Sequence, residues 1–266
     1  MRKIMISNTT INYDEFLRIH KSIIEGYFFI CKKCASYFLG QLNKYLKSNV
    51  TEISDKKRFI CGNLTDSFKS LGSILRLLDE NATYQALMLF RPTIEQITCS
   101  IILFRNTNLI TKYIDCKQKI LNFYNSYLEE ENLKTENKRK SKTKFLSNNE
   151  FAWAEEVIDQ KPVRIHHLLK YINYEKFNNL YWLFDATIHN SINFYSYTPQ
   201  QLEFQIPISV VVFVNSLLND LYNEVVKYCL DDLGYLNETL QNTNLLFLEY
   251  LKKYREFTLY ISVELK

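Results

Sequence analysis

Glycine and proline are scarce in this chain, with only 5 Gly and 4 Pro among 266 residues. Sheet proteins use both residues freely in tight turns, so their scarcity argues against a sheet-rich fold and favours long helices. With 47% hydrophobic residues, a chain of this length can bury a sizeable core. We predict an all-α multi-helix bundle of about 7–9 helices, with a charged loop insertion near residues 129–147.

The chain also lacks a strong charge imbalance and a long apolar run. Its net charge is +4, from 33 basic and 29 acidic residues, which does not by itself predict nucleic-acid binding. No signal-peptide core is visible near the start. The longest apolar run, residues 206–218, is shorter than the roughly 20 residues of a membrane-spanning helix. We therefore expect a cytoplasmic protein without membrane association.

Familiar catalytic and cofactor motifs are missing as well. The sequence has no phosphate-binding glycine loop, no dinucleotide-binding glycine run, no HExxH and no nucleophile elbow. Cys31-x-x-Cys34 is a lone CxxC within a helical pattern, so core thiols are favoured over metal or redox use. We predict no cofactor and no metal site. His166-His167 is interpreted as a surface cluster, and His20 receives no role.

Apolar periodicity places the helices along one continuous domain, residues 1–266. Within it we distinguish a long N-terminal helix (13–58), a core bundle (59–232) and a C-terminal helix with a tail (235–266). The individual helices are predicted at residues 13–47, 59–79, 83–104, 108–131, 151–159, 163–171, 175–195, 208–229 and 237–254. Pro92 is expected to kink or restart the third of these.

Arg91 and Glu95 form the first candidate site. They lie one helical turn apart in residues 75–104, the most apolar long segment of the chain. Leaving one charge of a buried pair without its partner costs about 3–5 kcal/mol, so a buried pair indicates an organising or functional role. The alternative is an intrahelical ion pair on a partly exposed face, worth roughly 0.3–0.5 kcal/mol.

The second candidate site is a face of the helix predicted at residues 175–195. Tyr181, Asp185 and His189 are spaced by four and share this face. Asp185 is placed to hold the imidazole of His189 in one tautomer. The alternative is a core or interface histidine whose hydrogen bond is simply satisfied.

Together, Leu89-x-Arg91-x-x-x-Glu95 and the Tyr181–Asp185–His189 helix resemble an uncharacterised bacterial all-helical family, a domain of unknown function distantly similar to the HEPN nucleases. In that family serine is common four residues before the histidine, and this chain has Asp185. The resemblance implies a bacterial accessory or defence role. In a HEPN-type ribonuclease, Arg would lie at the scissile phosphate and His would transfer protons without a metal. The Arg-x(4–6)-His motif of that group is absent here.

These observations favour a cytoplasmic accessory or effector protein of a defence or stress system. Its predicted site combines Arg91, Glu95 and His189, supported by Asp185 and Tyr181, in a helical core that binds a partner protein or a small ligand. One alternative is a metal-independent HEPN-like ribonuclease acting on RNA. Another is a purely structural protein that works as a homo-oligomer or through its surfaces.

Overall fold

Helices build almost all of the structure, a computed structural model that describes residues 3–6, 9–48, 52–129, 144–146, 148–174, 206–233 and 235–254. The predicted all-α multi-helix bundle is confirmed. In chain order the helices are α1 (Tyr13–Lys47), α2 (Glu52–Asp79), α3 (Thr83–Arg105), α4 (Ile110–Glu129), α5 (Ile165–Tyr171), α6 (Ile206–Leu233) and α7 (Tyr235–Lys253). A short antiparallel hairpin precedes them, formed by β1 (Lys3–Ile6) and β2 (Thr9–Asn12).

Helix α1 has the bounds predicted from its apolar periodicity. The Asn12 side chain accepts a hydrogen bond from the Glu15 backbone N–H at 3.3 Å and caps the first turn. Lysines in the last turn complement the helix dipole. Every third or fourth position along one face is buried, and this stripe includes a histidine: Phe16, His20, Ile23, Ile24, Tyr27, Ile30, Cys31, Cys34, Ala35 and Phe38.

Helix α2 begins at Glu52, seven residues before the predicted start, so the polar segment at residues 48–57 is mostly helical. Arg58 explains why a helix with few apolar residues forms there. Its Nε donates to the Tyr45 carbonyl at 2.7 Å and its Nη2 to the Ser48 carbonyl at 2.6 Å. The Tyr45 carbonyl also accepts from the Ser48 N–H, so Arg58 adds to the cap at the end of α1 and ties α2 to it.

The described helices fall into two compact units, Met1–Ile97 with Leu180–Lys266, and Thr98–Asn179. The boundary lies within α3, which is continuous across it. In the first unit, α1 packs against α2, α6 and α7, and α2 also packs against α6. That residues 1–266 form one domain stays a prediction.

Two contacts fix α7 against α1 in the first unit. The helices come closest at Gly26, where an added Cβ would lie 2.9 Å from Cγ2 of Thr243 and closer still to its Oγ1. One residue further on, the Tyr27 hydroxyl lies 2.9 Å from Asn244 Oδ1 and 2.5 Å from Asn215 Oδ1 of α6. This polar junction sets the register of α7, so the positions of residues farther along α7 follow from it.

The second unit surrounds a small core of its own. The Trp153 ring packs edge-on against Tyr113 of α4, with 5.2 Å between centroids. The predicted helix at residues 151–159 is wrong: only Ala152–Ala154 is helical, as a 3-10 turn, and turns follow it. The Cys116 thiol donates to the Asn149 carbonyl at 2.7 Å and ties this turn segment to α4.

Helix α3 is the one helix in the described ranges that is long and apolar enough to cross a membrane. Within its most apolar window 61% of the residues are buried inside the protein. Buried core helices commonly pass the same test of length and hydropathy, so the match is a weak indication of a membrane span. Cytoplasmic location and the absence of membrane association stay predictions.

Candidate functional site

The Arg91–Glu95 pair forms as its spacing predicts, with Arg91 Nε 3.3 Å from Glu95 Oε1. The two side chains are 30% and 24% exposed, so the pair is partly buried, and its role in a site stays a prediction. Each charged residue directly follows a buried one, Phe90 or Ile94, and successive residues of a helix point about 100° apart. The apolar neighbours face the core, and the charged pair lies at its margin.

Helix α3 continues through Pro92 as one helix, so it does not restart there; a kink at Pro92 stays a prediction. Thr93, the next residue, is buried, and its hydroxyl donates to the Leu89 carbonyl at 2.7 Å. Tyr181, Asp185 and His189 lie outside the described residues, as does most of the charged segment at residues 129–147. The convergence of His189 with Arg91 and Glu95 therefore stays a prediction.

A cavity of about 450 Å³ lies elsewhere in the first unit, where the beginning of α1, the α2–α3 turn and the start of α6 meet. Apolar and polar side chains share its wall. The lining residues are Tyr13, Phe16, Leu17, His20, Leu78, Asn81, Thr83, Tyr84, Gln85 and Pro207. None of these residues was predicted from the sequence to have a functional role.

His20 is the histidine in the described wall of this cavity. Its side chain is buried, with only 8% of the residue exposed, and its ring stacks on Phe16 at a centroid distance of 5.4 Å. Burial lowers the pKa of His20 to about 4, although the nearby Asp79 carboxylate acts in the opposite direction. The imidazole is therefore neutral at physiological pH, with one nitrogen protonated and the other an acceptor.

Tyr250 of α7 decides which nitrogen carries the proton. Its hydroxyl lies 2.8 Å from His20 Nδ1, and within the described part of the chain it has no other hydrogen-bond partner. Burial raises the pKa of Tyr250 well above its usual value, so the phenol stays protonated. An unsatisfied buried hydroxyl costs roughly 1–3 kcal/mol, so Tyr250 donates to Nδ1. The proton of His20 is then on Nε2.

His20 Nε2–H has no acceptor among the residues that the structure describes. The side chains of Asn81, Thr83 and Gln85, which also line the cavity, have no protein partner in these ranges either; Asn81 and Gln85 are exposed and Thr83 is partly exposed. Thr83 and Gln85 are in the first turn of α3, where backbone N–H groups lack helical acceptors, and neither N–H is bonded elsewhere in these ranges. Several hydrogen-bonding groups thus converge on one cavity without protein partners.

The turn between α2 and α3, residues 80–82, contains a residue with a left-handed backbone conformation. Asn81 has φ 58°, a conformation that asparagine tolerates better than most residues. The backbone N–H of Ala82 donates to the Leu77 carbonyl at 2.7 Å and closes the end of α2. Helix α3 begins at once, so its first turn lies beside the Asn81 side chain.

The cysteines match their interpretation as core thiols. Cys31, Cys34, Cys61 and Cys99 are buried thiols, and Cys116 is a partly exposed thiol. Burial raises the pKa of Cys31 well above its usual value, so its reactive thiolate form is disfavoured. In the described ranges no three His, Cys, Asp or Glu side chains are grouped so as to hold a metal ion.

Comparison with protein-family models, with curated proteins and with solved structures found no match. The resemblance to a bacterial helical family and to the HEPN group therefore stays a prediction. Conclusions about the chemistry of this chain therefore rest on its own geometry.

The sequence contains one indication that His20 is buried. His20 lies four residues after Phe16 and three before Ile23, so all three share one face of α1, and a histidine on such an apolar face is expected to be buried. No sequence pattern pairs it with Tyr250, because 230 residues separate the two. The cavity itself depends on how α1, α2, α3 and α6 pack.

Proposed function

We propose that this protein binds a small organic ligand in the His20 cavity, and that this binding underlies the accessory or effector role expected from its sequence. The observation that carries the proposal is a cavity of about 450 Å³ where His20 Nε2–H and the side chains of Asn81, Thr83 and Gln85 have no protein partner among the described residues. His20 is buried, and buried polar groups in native proteins are nearly always hydrogen-bonded. A cavity that combines such a group with more exposed polar side chains is suited to a ligand that hydrogen-bonds them.

The composition of the wall supports the same proposal. Ligand cavities of about 300–1,000 Å³ are usually lined by apolar and aromatic side chains with a few polar groups that fix orientation. Here Phe16, Leu78 and Pro207 provide buried apolar surface, and His20 provides a buried neutral donor. A neutral imidazole hydrogen-bonds a ligand without the desolvation cost of a buried charge.

Leu17→Trp is expected to abolish ligand binding while leaving the fold intact. Leu17 lines the cavity and is 39% exposed, so a larger side chain can extend over the opening without entering the core. Saturation-transfer NMR with a mixed set of neutral aromatics, aromatic amines, carboxylates and phosphates measures the binding. We expect at least one chemical class to bind the wild type and to be lost in the variant.

Leu39→Trp is the matched control, because Leu39 is on the same helix, is 40% exposed and does not line the cavity. It should bind the same compounds as the wild type. The proposal is wrong if no compound binds, or if the compounds that bind are unaffected by Leu17→Trp.

The ribonuclease alternative and the defence role stay predictions. Both depend on Arg91 and His189 acting together, and His189 lies outside the described residues. The Arg91–Glu95 pair alone is a partly exposed intrahelical pair, which supports neither.

A further inference from the structure

We propose that the His20 cavity takes a small organic monocarboxylate, with the carboxylate between His20 Nε2–H and the first turn of α3 and an aromatic or apolar body against the rings of the wall. The inference rests on the proposed function and specifies its ligand class. The ligand's charge, its orientation in the cavity and the protein groups that donate hydrogen bonds to it are all specified.

The donors supply the first argument. His20 lines the cavity and is more than nine-tenths buried, and its Nε2–H has no protein acceptor in the described ranges. The backbone N–H groups of Thr83 and Gln85 have no acceptor there either. All three groups can only donate, so the complementary ligand group is an acceptor with several lone pairs. A carboxylate offers two oxygens and about four lone-pair directions.

The charge of the site supplies the second argument. The positive end of a helix dipole stabilises an anion near its first turn, which suits a single negative charge. None of the described residues that line the cavity is lysine or arginine, and a phosphate dianion usually needs one of them. Asp79, the acidic group that acts on His20, lies 3.6 Å from Arg76, which offsets its charge.

The apolar part of the wall supplies the third argument. Tyr13, Phe16 and Tyr84 provide aromatic surface, and Leu17, Leu78 and Pro207 add aliphatic surface. A ligand that satisfied only the donors would leave this surface against water. A carboxylate attached to a ring or a short hydrocarbon body covers both parts of the wall.

Benzoate and benzamide test the charge with a matched pair of probes, because they have nearly the same shape and differ in carrying a carboxylate or a neutral amide. Isothermal titration calorimetry at pH 7 should show benzoate binding the wild type about tenfold more tightly than benzamide. Phenyl phosphate, a dianion under these conditions, should bind more weakly than benzoate.

Thr83→Pro tests the role of the α3 N-terminus. Proline is favoured at the first helical position and removes the Thr83 N–H without changing any charge. Benzoate affinity should fall about fivefold. Thr83→Ala keeps the N–H and should bind benzoate as the wild type does, so the pair separates loss of the backbone donor from loss of the hydroxyl.

Each outcome decides the inference. Benzamide or phenyl phosphate binding as well as or better than benzoate overturns the monocarboxylate but leaves a ligand cavity standing, provided that Leu17→Trp abolishes the binding. Equal benzoate affinity in Thr83→Pro and Thr83→Ala overturns the proposed orientation. If none of the three probes binds, the inference is wrong, and the proposed function then depends on the other compounds of the NMR set.

Discussion

Replacing Gly26 by alanine is expected to lower the free energy of unfolding by about 1 kcal/mol, although alanine is the better helix former. The new Cβ would lie 2.9 Å from Thr243 Cγ2 and closer to its Oγ1. Overpacking of this kind costs about 1–3 kcal/mol, which outweighs a gain in helix propensity of about 1 kcal/mol. Urea unfolding followed by circular dichroism measures the change.

Gly40→Ala is the matched control within the same helix. A Cβ added at Gly40 meets no atom within 4 Å, so only the helix propensity changes and stability should rise by about 1 kcal/mol. The two variants should therefore differ by about 2 kcal/mol, which is the cost of overpacking at Gly26 alone. Equal stabilities would contradict the close packing of α1 on α7. Adding Thr243→Ala to Gly26→Ala should restore part of the loss, because it removes the two nearest atoms.

Acidification from pH 7 to pH 4 is expected to remove stability on the order of 3 kcal/mol through His20 alone. Its pKa is about 4 in the folded protein, against an ordinary value of 6.5. The unfolded chain therefore takes up the proton first as the pH falls. The contribution of His20 is fully present above pH 6.5 and is progressively lost down to pH 4.

Comparing variants isolates this contribution from that of the carboxylates, which also titrate in the lower part of the range. His20→Gln should remove the His20 part of the pH dependence between pH 6.5 and pH 4, measured as melting temperature in a series of buffers. His166→Gln is the control, since His166 is exposed on α5, and it should keep the wild-type dependence. If both variants show the wild-type dependence, His20 is not buried as a neutral imidazole.

The fold was predictable wherever a helix buries a regular apolar stripe. Helix α1 has the predicted bounds because its stripe runs unbroken from Phe16 to Phe38 and its ends carry a cap and lysines. The start of α2 was missed because its first turns are polar and are stabilised by Arg58, whose partners lie at the end of α1. Contacts between two helices of this kind leave no pattern in the local sequence, so the start of α2 could not be predicted from it.

The candidate site, too, could be predicted only where a local sequence pattern indicates it. The Arg91–Glu95 pair was predictable from its spacing, but its burial was not, because apolar neighbours in sequence face a different side of the helix. His20 was visible as a histidine on a core face. Its significance depends on Tyr250 and on the first turn of α3, which only tertiary packing brings to it.

Imidazole nitrogen NMR of His20 tests the central claim most directly, because it reports protonation, tautomer and ligand contact at the same atom. At pH 7 the account predicts a neutral ring with the proton on Nε2, assigned by the loss of its signals in His20→Gln. Added benzoate should shift the Nε2 signal until it saturates. A proton on Nδ1, or an Nε2 signal that does not move when benzoate is bound, would contradict it.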